Sequence, residues 1–280
     1  MPFITTTDGT SLFYKDWGTG RPVVFVHACA MTSAFWEYTM VCLNAQGCRC
    51  IAYDKRSHGR SDDPGSGYDF DTLADDLHSL LEQLDLQDVT LVGHSMGGGE
   101  VIRYQARYGA SGRVTKLALL GTPDCLLLAD DNPEGIDKDL FEQFLSTTIA
   151  KDFPKWLDDN VDAFYLPETF GVSDGIIRWT IDMMRPTPMR AVIDCQRQVF
   201  GTDLRGDIRK ITIPALVIHG DKDASIPFRC GQAIAKMIPG CIFKAYSGAP
   251  HGIIITHADQ VNKDLLSFIN GDSVAKFTVL

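Results

Sequence analysis

The sequence predicts an α/β fold: a mostly parallel central sheet with an N-terminal antiparallel hairpin, helices on both faces and a helical cap. Three observations predict it. Short, almost wholly apolar runs alternate with segments of helical periodicity, which is the pattern of strands buried on both faces. One apolar run ends at a Gly-x-Ser-x-Gly sequence, and a helix-compatible segment follows directly. The stretch 124–206 then interrupts the alternation with several helical patterns and no convincing strand.

The predicted elements begin with a hairpin, and alternating strands and helices follow it. Segments 3–6 and 12–16 flank Asp8-Gly9, a pair typical of a hairpin turn, and predict the antiparallel edge. Six later apolar runs predict buried strands at 23–27, 48–54, 89–93, 117–120, 215–220 and 241–246. Helical patterns between them predict helices near 34–44, 70–84, 97–109, 229–237 and 258–269. Strands that alternate with helices form a parallel sheet, and ligands bind such sheets beyond the carboxyl ends of the strands.

The helical stretch divides the chain into a core domain of residues 1–123 and 207–280 and an inserted cap of residues 124–206. The cap is rich in aromatic and methionine side chains. Such a composition suits an apolar substrate pocket above the rim of the sheet. Packing of the cap onto the core explains most of these side chains equally well, so no single one is assigned to the pocket.

Composition excludes several classes of protein. The chain has 280 residues, 45% hydrophobic and 22% charged, which is ordinary for a globular domain with a sizeable core. Its formal net charge of −10 disfavours nucleic acid or an anionic membrane as a partner. It has no apolar run of about 18 residues that would span a bilayer. The first residues have no basic region followed by an apolar stretch, so we expect a cytoplasmic protein.

The eight cysteines are scattered through the chain, unlike the dense framework of a small secreted domain. Cys48 and Cys50 form the one close pair, and no matching His or Cys pair accompanies them, which is poor spacing for zinc. We therefore expect reduced, mostly buried thiols, and neither a metal nor an organic cofactor.

The clearest chemical signal is Gly93-His94-Ser95-Met96-Gly97, which lies between the apolar run 89–93 and a helical pattern. This order is typical of a nucleophile elbow, a sharp strand-to-helix turn that raises one serine hydroxyl above the sheet. Glycines two residues before and after the serine let strand and helix approach closely around a strained backbone. The helix N-terminus also favours developing negative charge. The motif predicts that Ser95 is an activated nucleophile.

A serine hydroxyl needs a base to take its proton, and in this architecture the chain order is serine, acid, histidine. His251 lies in a glycine-rich loop after the last predicted strand, from which an imidazole can reach Ser95, and we predict that it is the general base. The other six histidines fall into two groups: His27, His58 and His219 flank strand ends and could line the site but precede the expected acid, whereas His78, His94 and His257 lie elsewhere.

Two aspartates compete for the role of the acid. Both follow the predicted strand 215–220, in Gly220-Asp221-Lys222-Asp223. Asp221 is nearer the strand end and could instead organise the loop through bonds from its side chain to the backbone. Asp223 lies further out, toward the loop of His251. Geometry favours Asp223 and leaves Asp221 open at this point.

An oxyanion hole needs two backbone N–H groups. One comes from the residue after the nucleophile, Met96, and the other from the loop after the early strand, where Cys29 is the predicted donor. The Cys29 thiol is a tempting second nucleophile. Because its neighbourhood is apolar and has no adjacent imidazole–acid pair, a backbone role is the better interpretation.

With these motifs the chain resembles the α/β-hydrolase superfamily across nearly its whole length. Three segments place it near the cofactor-free haloperoxidases, perhydrolases and arylesterases: Gly93-His94-Ser95-Met96-Gly97-Gly98-Gly99-Glu100, Tyr53-Asp54-Lys55-Arg56-Ser57-His58-Gly59-Arg60-Ser61 and Gly220-Asp221-Lys222-Asp223. In that branch the acid is the second aspartate of Gly-Asp-x-Asp, so the resemblance implies Asp223 as the acid and His251 as the base. The segment 54–61 is structural in the family and shapes the turn below the site.

Two departures from this branch bear on its chemistry. The family usually has His-Gly before the oxyanion donor, whereas this chain has His27-Ala28. Members competent in perhydrolysis typically have a proline directly after the donor, and here that position is Ala30. The resemblance therefore implies plain ester hydrolysis rather than efficient peracid or halide chemistry. Ser95 also distinguishes the chain from dehalogenases and epoxide hydrolases of the same fold, which use an aspartate nucleophile.

The sequence therefore predicts a serine carboxylic-ester hydrolase for small, mainly apolar substrates. Lactonase or amidase activity on small cyclic substrates is the nearest alternative, because the tetrahedral intermediate is the same, and a C–C bond hydrolase is a weaker one. Perhydrolase or non-haem haloperoxidase activity is a further alternative. A non-catalytic small-molecule receptor of the same fold belongs to a different class. The partner expected in each case is a small molecule, and a homo-oligomer is compatible with the sequence.

Overall fold

The computed structural model describes residues 2–271 of the chain. Eight strands form one sheet: β1 (Phe3–Thr5), β2 (Ser11–Trp17), β3 (Arg21–Val26), β4 (Cys48–Tyr53), β5 (Val89–His94), β6 (Val114–Leu120), β7 (Ala215–Gly220) and β8 (Ile242–Tyr246). Their spatial order is β1-β2-β4-β3-β5-β6-β7-β8. β1 pairs antiparallel with β2, and β2 pairs antiparallel with β4, whereas all later pairs are parallel. The predicted parallel sheet with an antiparallel N-terminal hairpin is confirmed.

Twelve α-helices occur in the described part of the chain: α1 (Glu37–Ala45), α2 (Phe70–Gln83), α3 (Met96–Tyr108), α4 (Lys138–Phe144), α5 (Phe153–Tyr165), α6 (Pro167–Phe170), α7 (Asp174–Met184), α8 (Met189–Gly201), α9 (Arg205–Ile208), α10 (Phe228–Met237), α11 (Ile253–Thr256) and α12 (Ala258–Asn270). The five predicted helices of the core correspond to α1, α2, α3, α10 and α12. The predicted segment 34–44 begins with a 3-10 turn at Ser33–Trp36 before α1.

The middle of the sheet is buried on both faces, as the apolar runs predict. Along β3, Val24 and Val26 pack into the apolar cluster on one face, whereas Val23 and Phe25 pack into the cluster on the other. All four side chains are fully buried. Successive residues of a strand point to opposite faces, so a strand between two helical layers must be apolar throughout.

The stretch 124–206 contains helices α4 to α8 and contributes no strand to the sheet. A five-residue π-helix, Leu145–Ile149, continues α4. These helices share an apolar cluster of their own, formed by Phe141, Leu145, Ile149, Phe153, Leu157, Ile181 and Val192 together with Ala30 of the core. The cluster therefore connects the cap to the loop that follows β3. The exact division into residues 1–123, 124–206 and 207–280 stays a prediction.

Candidate active site

Ser95 occupies the turn between β5 and α3 with φ 56° and ψ −122°, a backbone conformation that non-glycine residues rarely adopt. Its N–H donates to the carbonyl of Leu120 at 2.9 Å, and its carbonyl accepts from the N–H of Gly98 at 2.9 Å. Such conformations cost about 1–3 kcal/mol and persist only where the surroundings enforce them. The bonds to β6 and to α3 therefore hold Ser95 at the apex of the turn.

Two glycines make this turn possible. A Cβ atom at Gly97 would collide with the backbone oxygen of Val26 in β3, and one at Gly93 would collide with the backbone of Gly97 and Gly98. Helix α3 therefore starts in direct contact with strands β3 and β5. This close approach accounts physically for the glycine spacing around Ser95.

His251 and Asp223 are brought together by the loops after β8 and β7. The distance from His251 Nδ1 to Asp223 Oδ2 is 2.6 Å, and both side chains are almost fully buried. The other carboxylate oxygen, Oδ1, accepts from the backbone N–H groups of Ser225 at 2.9 Å and Ile226 at 2.8 Å. The carboxylate is an acceptor, so Nδ1 donates and Nε2 is the ring nitrogen free to accept a proton.

The charge of Asp223 is stabilised in place. Burial alone would raise the pKa of this carboxyl, but attraction to His251 and hydrogen bonds from His219 and His251 outweigh it and hold the pKa well below its usual range. The backbone of His251 is also held in place, since His94 Nε2 donates to its carbonyl at 3.0 Å. His94 is thus a support, as its position next to Ser95 in the sequence suggests.

Asp221 faces a different partner. Its Oδ1 accepts the backbone N–H of Gly248 at 2.7 Å, in the loop that leads to His251. This bond ties the β7 loop to the β8 loop without reaching the imidazole. The sequence had left Asp221 open as the partner of His251. In the structure the carboxylate that contacts His251 Nδ1 is that of Asp223.

The two predicted oxyanion donors lie near the nucleophile. Met96 is the first residue of α3, so its N–H has no acceptor within the helix. Cys29 lines the same cavity as Ser95, and its backbone N–H has no hydrogen-bond acceptor within residues 2–271. The loop of Cys29 is held at its next residue: the Ala30 N–H donates to His58 Nε2 at 3.2 Å, and Thr187 of the cap donates to the Ala30 carbonyl at 3.1 Å.

Ala30 has φ 59°, in the left-handed region. This conformation could not be predicted from the sequence, because left-handed backbone is typical of glycine, asparagine and aspartate rather than alanine. A proline, with φ near −65°, does not fit this conformation and has no N–H to offer His58. A proline at this position would therefore require a different backbone conformation of the loop.

The three histidines that flank strand ends do not line the site. His27, His58 and His219 are each at most 1% exposed, and none borders the cavity beside Ser95. His27 Nε2 accepts the N–H of Lys55 at 3.0 Å, so it fastens the turn after β4 to the end of β3. The expectation that these rings could line the site is wrong, because all three are buried and bond to backbone groups of neighbouring loops.

Sequence reasoning missed Gly121, the residue directly after β6. Its φ is +51°, and a Cβ placed there would lie 3.2 Å from Asp223 Oδ2 and 3.2 Å from His251 Nδ1. A side chain at this position would therefore press on the Asp223–His251 pair. A glycine after a strand is too common for the sequence to have signalled it.

A cavity of about 380 Å³ lies over Ser95 and His251. Much of its wall comes from large apolar side chains of the cap, namely Phe144, Phe153, Trp156, Phe164, Met184 and Phe200. The ring of Phe164 meets that of His251 edge-on at 5.5 Å between centroids. This apolar wall suits a small, mainly apolar ligand. Polar side chains also border the cavity, among them Asp159, Asn160 and Gln196.

A family model described as the alpha/beta hydrolase fold matches residues 21–170, more than half of the chain. The chain belongs to the α/β-hydrolase superfamily. It is 39% identical to the non-heme chloroperoxidase CPO-A1 of Kitasatospora aureofaciens, over 96% of this chain and 100% of that protein. It is 34% identical to the bifunctional esterase/perhydrolase DCH of Acinetobacter calcoaceticus, over 96% of this chain and 99% of that protein.

Among solved structures, the bromoperoxidase from Bacillus anthracis matches this α/β-hydrolase with a TM-score of 0.91 at 38% identity, covering 96% of this chain and 99% of the other. The resemblance to the haloperoxidase, perhydrolase and arylesterase branch, read from three motifs, is thereby confirmed, as is the fold. Within residues 2–271 no helix is both long and apolar enough to cross a lipid bilayer.

Proposed function

We propose that this α/β-hydrolase cleaves carboxylic esters of small, mainly apolar substrates through an acyl-enzyme on Ser95. The observation that carries the proposal is the common cavity: Ser95 and His251 both border it, and Asp223 holds His251 Nδ1 at 2.6 Å. This leaves the other imidazole nitrogen to serve the serine hydroxyl. No organic cofactor or metal takes part in the proposed reaction.

In the proposed mechanism Ser95 Oγ attacks the ester carbonyl while His251 Nε2 accepts the hydroxyl proton. The carbonyl oxygen becomes an oxyanion, held by the N–H groups of Cys29 and Met96. Collapse of the tetrahedral intermediate breaks the bond to the alkoxy oxygen, and His251 returns the proton to the leaving alcohol. Water then attacks the acyl-enzyme by the same route, which releases the acid and restores Ser95. Asp223 keeps the ring in the tautomer that this sequence of transfers requires.

Covalent labelling tests the nucleophile. An organophosphonate should label the protein once, at Ser95, and Ser95→Ala should abolish the label and reduce hydrolysis of a chromogenic acyl ester by about 10⁶-fold. Cys29→Ala is the matched control, because it removes the competing thiol and keeps the backbone N–H. We expect that variant to retain the label on Ser95. A label that maps to Cys29, or turnover that survives in Ser95→Ala, would contradict the proposal.

A second candidate, perhydrolysis, is supported by the names of the relatives, which include a bifunctional esterase/perhydrolase and a non-heme chloroperoxidase. Both activities proceed through the same acyl-enzyme and differ in whether water or hydrogen peroxide attacks it. We expect ester hydrolysis to exceed peracid formation from the corresponding acid, because Ala30 stands where perhydrolases have proline. Measuring both rates on one preparation, with a lactone and a cyclic amide in the same panel, decides between these reactions.

A further inference from the structure

His219 is the one fully buried histidine that faces the proposed acid. It lies at the C-terminal end of β7, four residues before Asp223, and its side chain has no exposed surface. Its Nε2 is 3.0 Å from the carbonyl oxygen of Ile226 and 3.4 Å from Asp223 Oδ2. The ring meets that of Phe228 edge-on, and Gly231 leaves room for it, because a Cβ there would collide with Nδ1.

The surroundings determine which nitrogen carries the proton. The Ile226 carbonyl can only accept, so Nε2 must carry a hydrogen. Nδ1 is buried and has no hydrogen-bond partner within residues 2–271, so a second ring proton would be left without an acceptor. The contacts therefore favour the tautomer whose N–H is on Nε2 and is directed at the loop 223–226. A buried Nδ1 without a hydrogen-bond partner lowers the stability of the fold. This cost favours a functional role for the hydrogen on Nε2.

We propose that His219 is a positioning residue for Asp223: its N–H holds the loop 223–226 through the Ile226 carbonyl and the near Asp223 Oδ2, and so fixes the carboxylate that orients His251. This inference rests on the proposed function of the site. Oδ1 of Asp223 accepts two backbone N–H groups, whereas the nitrogen neighbours of Oδ2 within residues 2–271 are the two imidazoles, His251 Nδ1 at 2.6 Å and His219 Nε2 at 3.4 Å. Without His219 the carboxylate can turn away from His251 Nδ1.

The chain permits a matched pair of variants. In His219→Gln the amide nitrogen falls near the position of Nε2 and can still donate to the loop, whereas in His219→Asn it falls near that of Nδ1 and cannot reach. We expect His219→Asn to lower kcat for a chromogenic ester about 10-fold to 50-fold with little change in KM, since the ring does not border the cavity. We expect His219→Gln to remain within about threefold of the native kcat.

A double-mutant cycle separates positioning from general structural support. If His219 acts through Asp223, then His219→Asn should change kcat less than twofold in an Asp223→Asn background, where the carboxylate is already gone. An equal loss in both backgrounds, or no loss in the native background, would overturn the inference. Loss of all turnover in Ser95→Ala tests the proposed function separately, because that variant leaves the His219 contacts intact.

One measurement needs no variant to fold. Nitrogen NMR of the native protein with labelled histidines reports the tautomer of each neutral ring. We expect His219 to carry a proton on Nε2, directed at the Ile226 carbonyl. A ring whose only proton is on Nδ1 would refute the hydrogen-bond assignment on which the positioning role depends.

Discussion

At the scale of single residues, Asp221 and Asp223 lie in one loop and hold different partners. Asp221 accepts the N–H of Gly248, whereas Asp223 accepts the ring N–H of His251. Sequence position favoured Asp223 without excluding Asp221, because both follow the same strand and both carry a carboxylate. The family motif also favoured Asp223, and the bond from the Gly248 N–H gives Asp221 a separate role in joining the β7 and β8 loops.

The two aspartates should respond differently to amide substitution. We expect Asp223→Asn to lower kcat by about 10⁴-fold, because an amide cannot hold His251 in the required tautomer. We expect Asp221→Asn to lower kcat less than about 10-fold, because the amide oxygen can still accept the Gly248 N–H. Steady-state kinetics on both variants, with circular dichroism to verify folding, compares them. A larger catalytic loss in Asp221→Asn would reverse the assignment.

Gly121 packs against the pair formed by Asp223 and His251. We expect Gly121→Ala to reduce kcat about 10-fold to 100-fold, because its Cβ would displace one of the two side chains. Gly112→Ala is the matched control: Gly112 also has positive φ, +68°, but nothing lies within 4 Å of its Cβ position. Both variants should lose stability, and only Gly121→Ala should lose turnover. Equal kcat values in the two variants would contradict this role.

At the scale of elements, the sequence predicted the strands and the longer helices because their patterns extend over enough residues. A strand buried on both faces must be apolar throughout, and a helix of three turns shows a clear stripe. Helices α9 and α11 have four residues each and were not predicted, since one turn has no period. The burial of His27, His58 and His219 was not predicted either. It depends on how loops that are distant in the sequence pack against one another.

The loop after β3 is the element whose conformation is least visible in the sequence. We expect Ala30→Pro to destabilise the protein by about 2 kcal/mol or more, because proline cannot adopt φ 59° and loses the bond to His58. Hydrolysis should fall with it, since the neighbouring Cys29 N–H moves. Ala30→Gly is the control and should leave both properties nearly unchanged. Urea unfolding and ester kinetics measure the effects, and a Pro variant as stable as the native protein would show that the loop is not constrained.

At the scale of the whole molecule, the fold buries several histidines as neutral rings. Burial lowers the pKa of His58 to about 4 and that of His94 to about 3, with nearby positive charge adding to the effect. Burial also lowers the pKa of His27 well below its usual value. In the unfolded chain each ring titrates near 6.5. At these three rings the folded state therefore binds fewer protons than the unfolded chain in the mildly acidic range. Two buried carboxyls act in the opposite direction, because burial raises the pKa of Asp76 to about 6 and that of Glu100 well above its usual value.

This difference predicts a strong acid dependence of stability. Below pH 6.5 the unfolded chain gains protons at these three rings that the folded state rejects, and each ring lowers the free energy of unfolding by up to about 1.4 kcal/mol per pH unit as pH falls. Asp76 and Glu100 offset part of this loss, and the three rings outweigh the two carboxyls, so the free energy of unfolding should still fall. The fall should continue to about pH 4, where His58 begins to titrate in the folded state. Urea unfolding at pH 7.5, 6.5, 5.5 and 4.5 measures the slope. His58→Gln removes one of the three rings and should reduce that slope by about 1.4 kcal/mol per pH unit, whatever its effect at pH 7.5. A free energy of unfolding that stays level between pH 6.5 and pH 4.5 would mean that these rings accept protons within the fold.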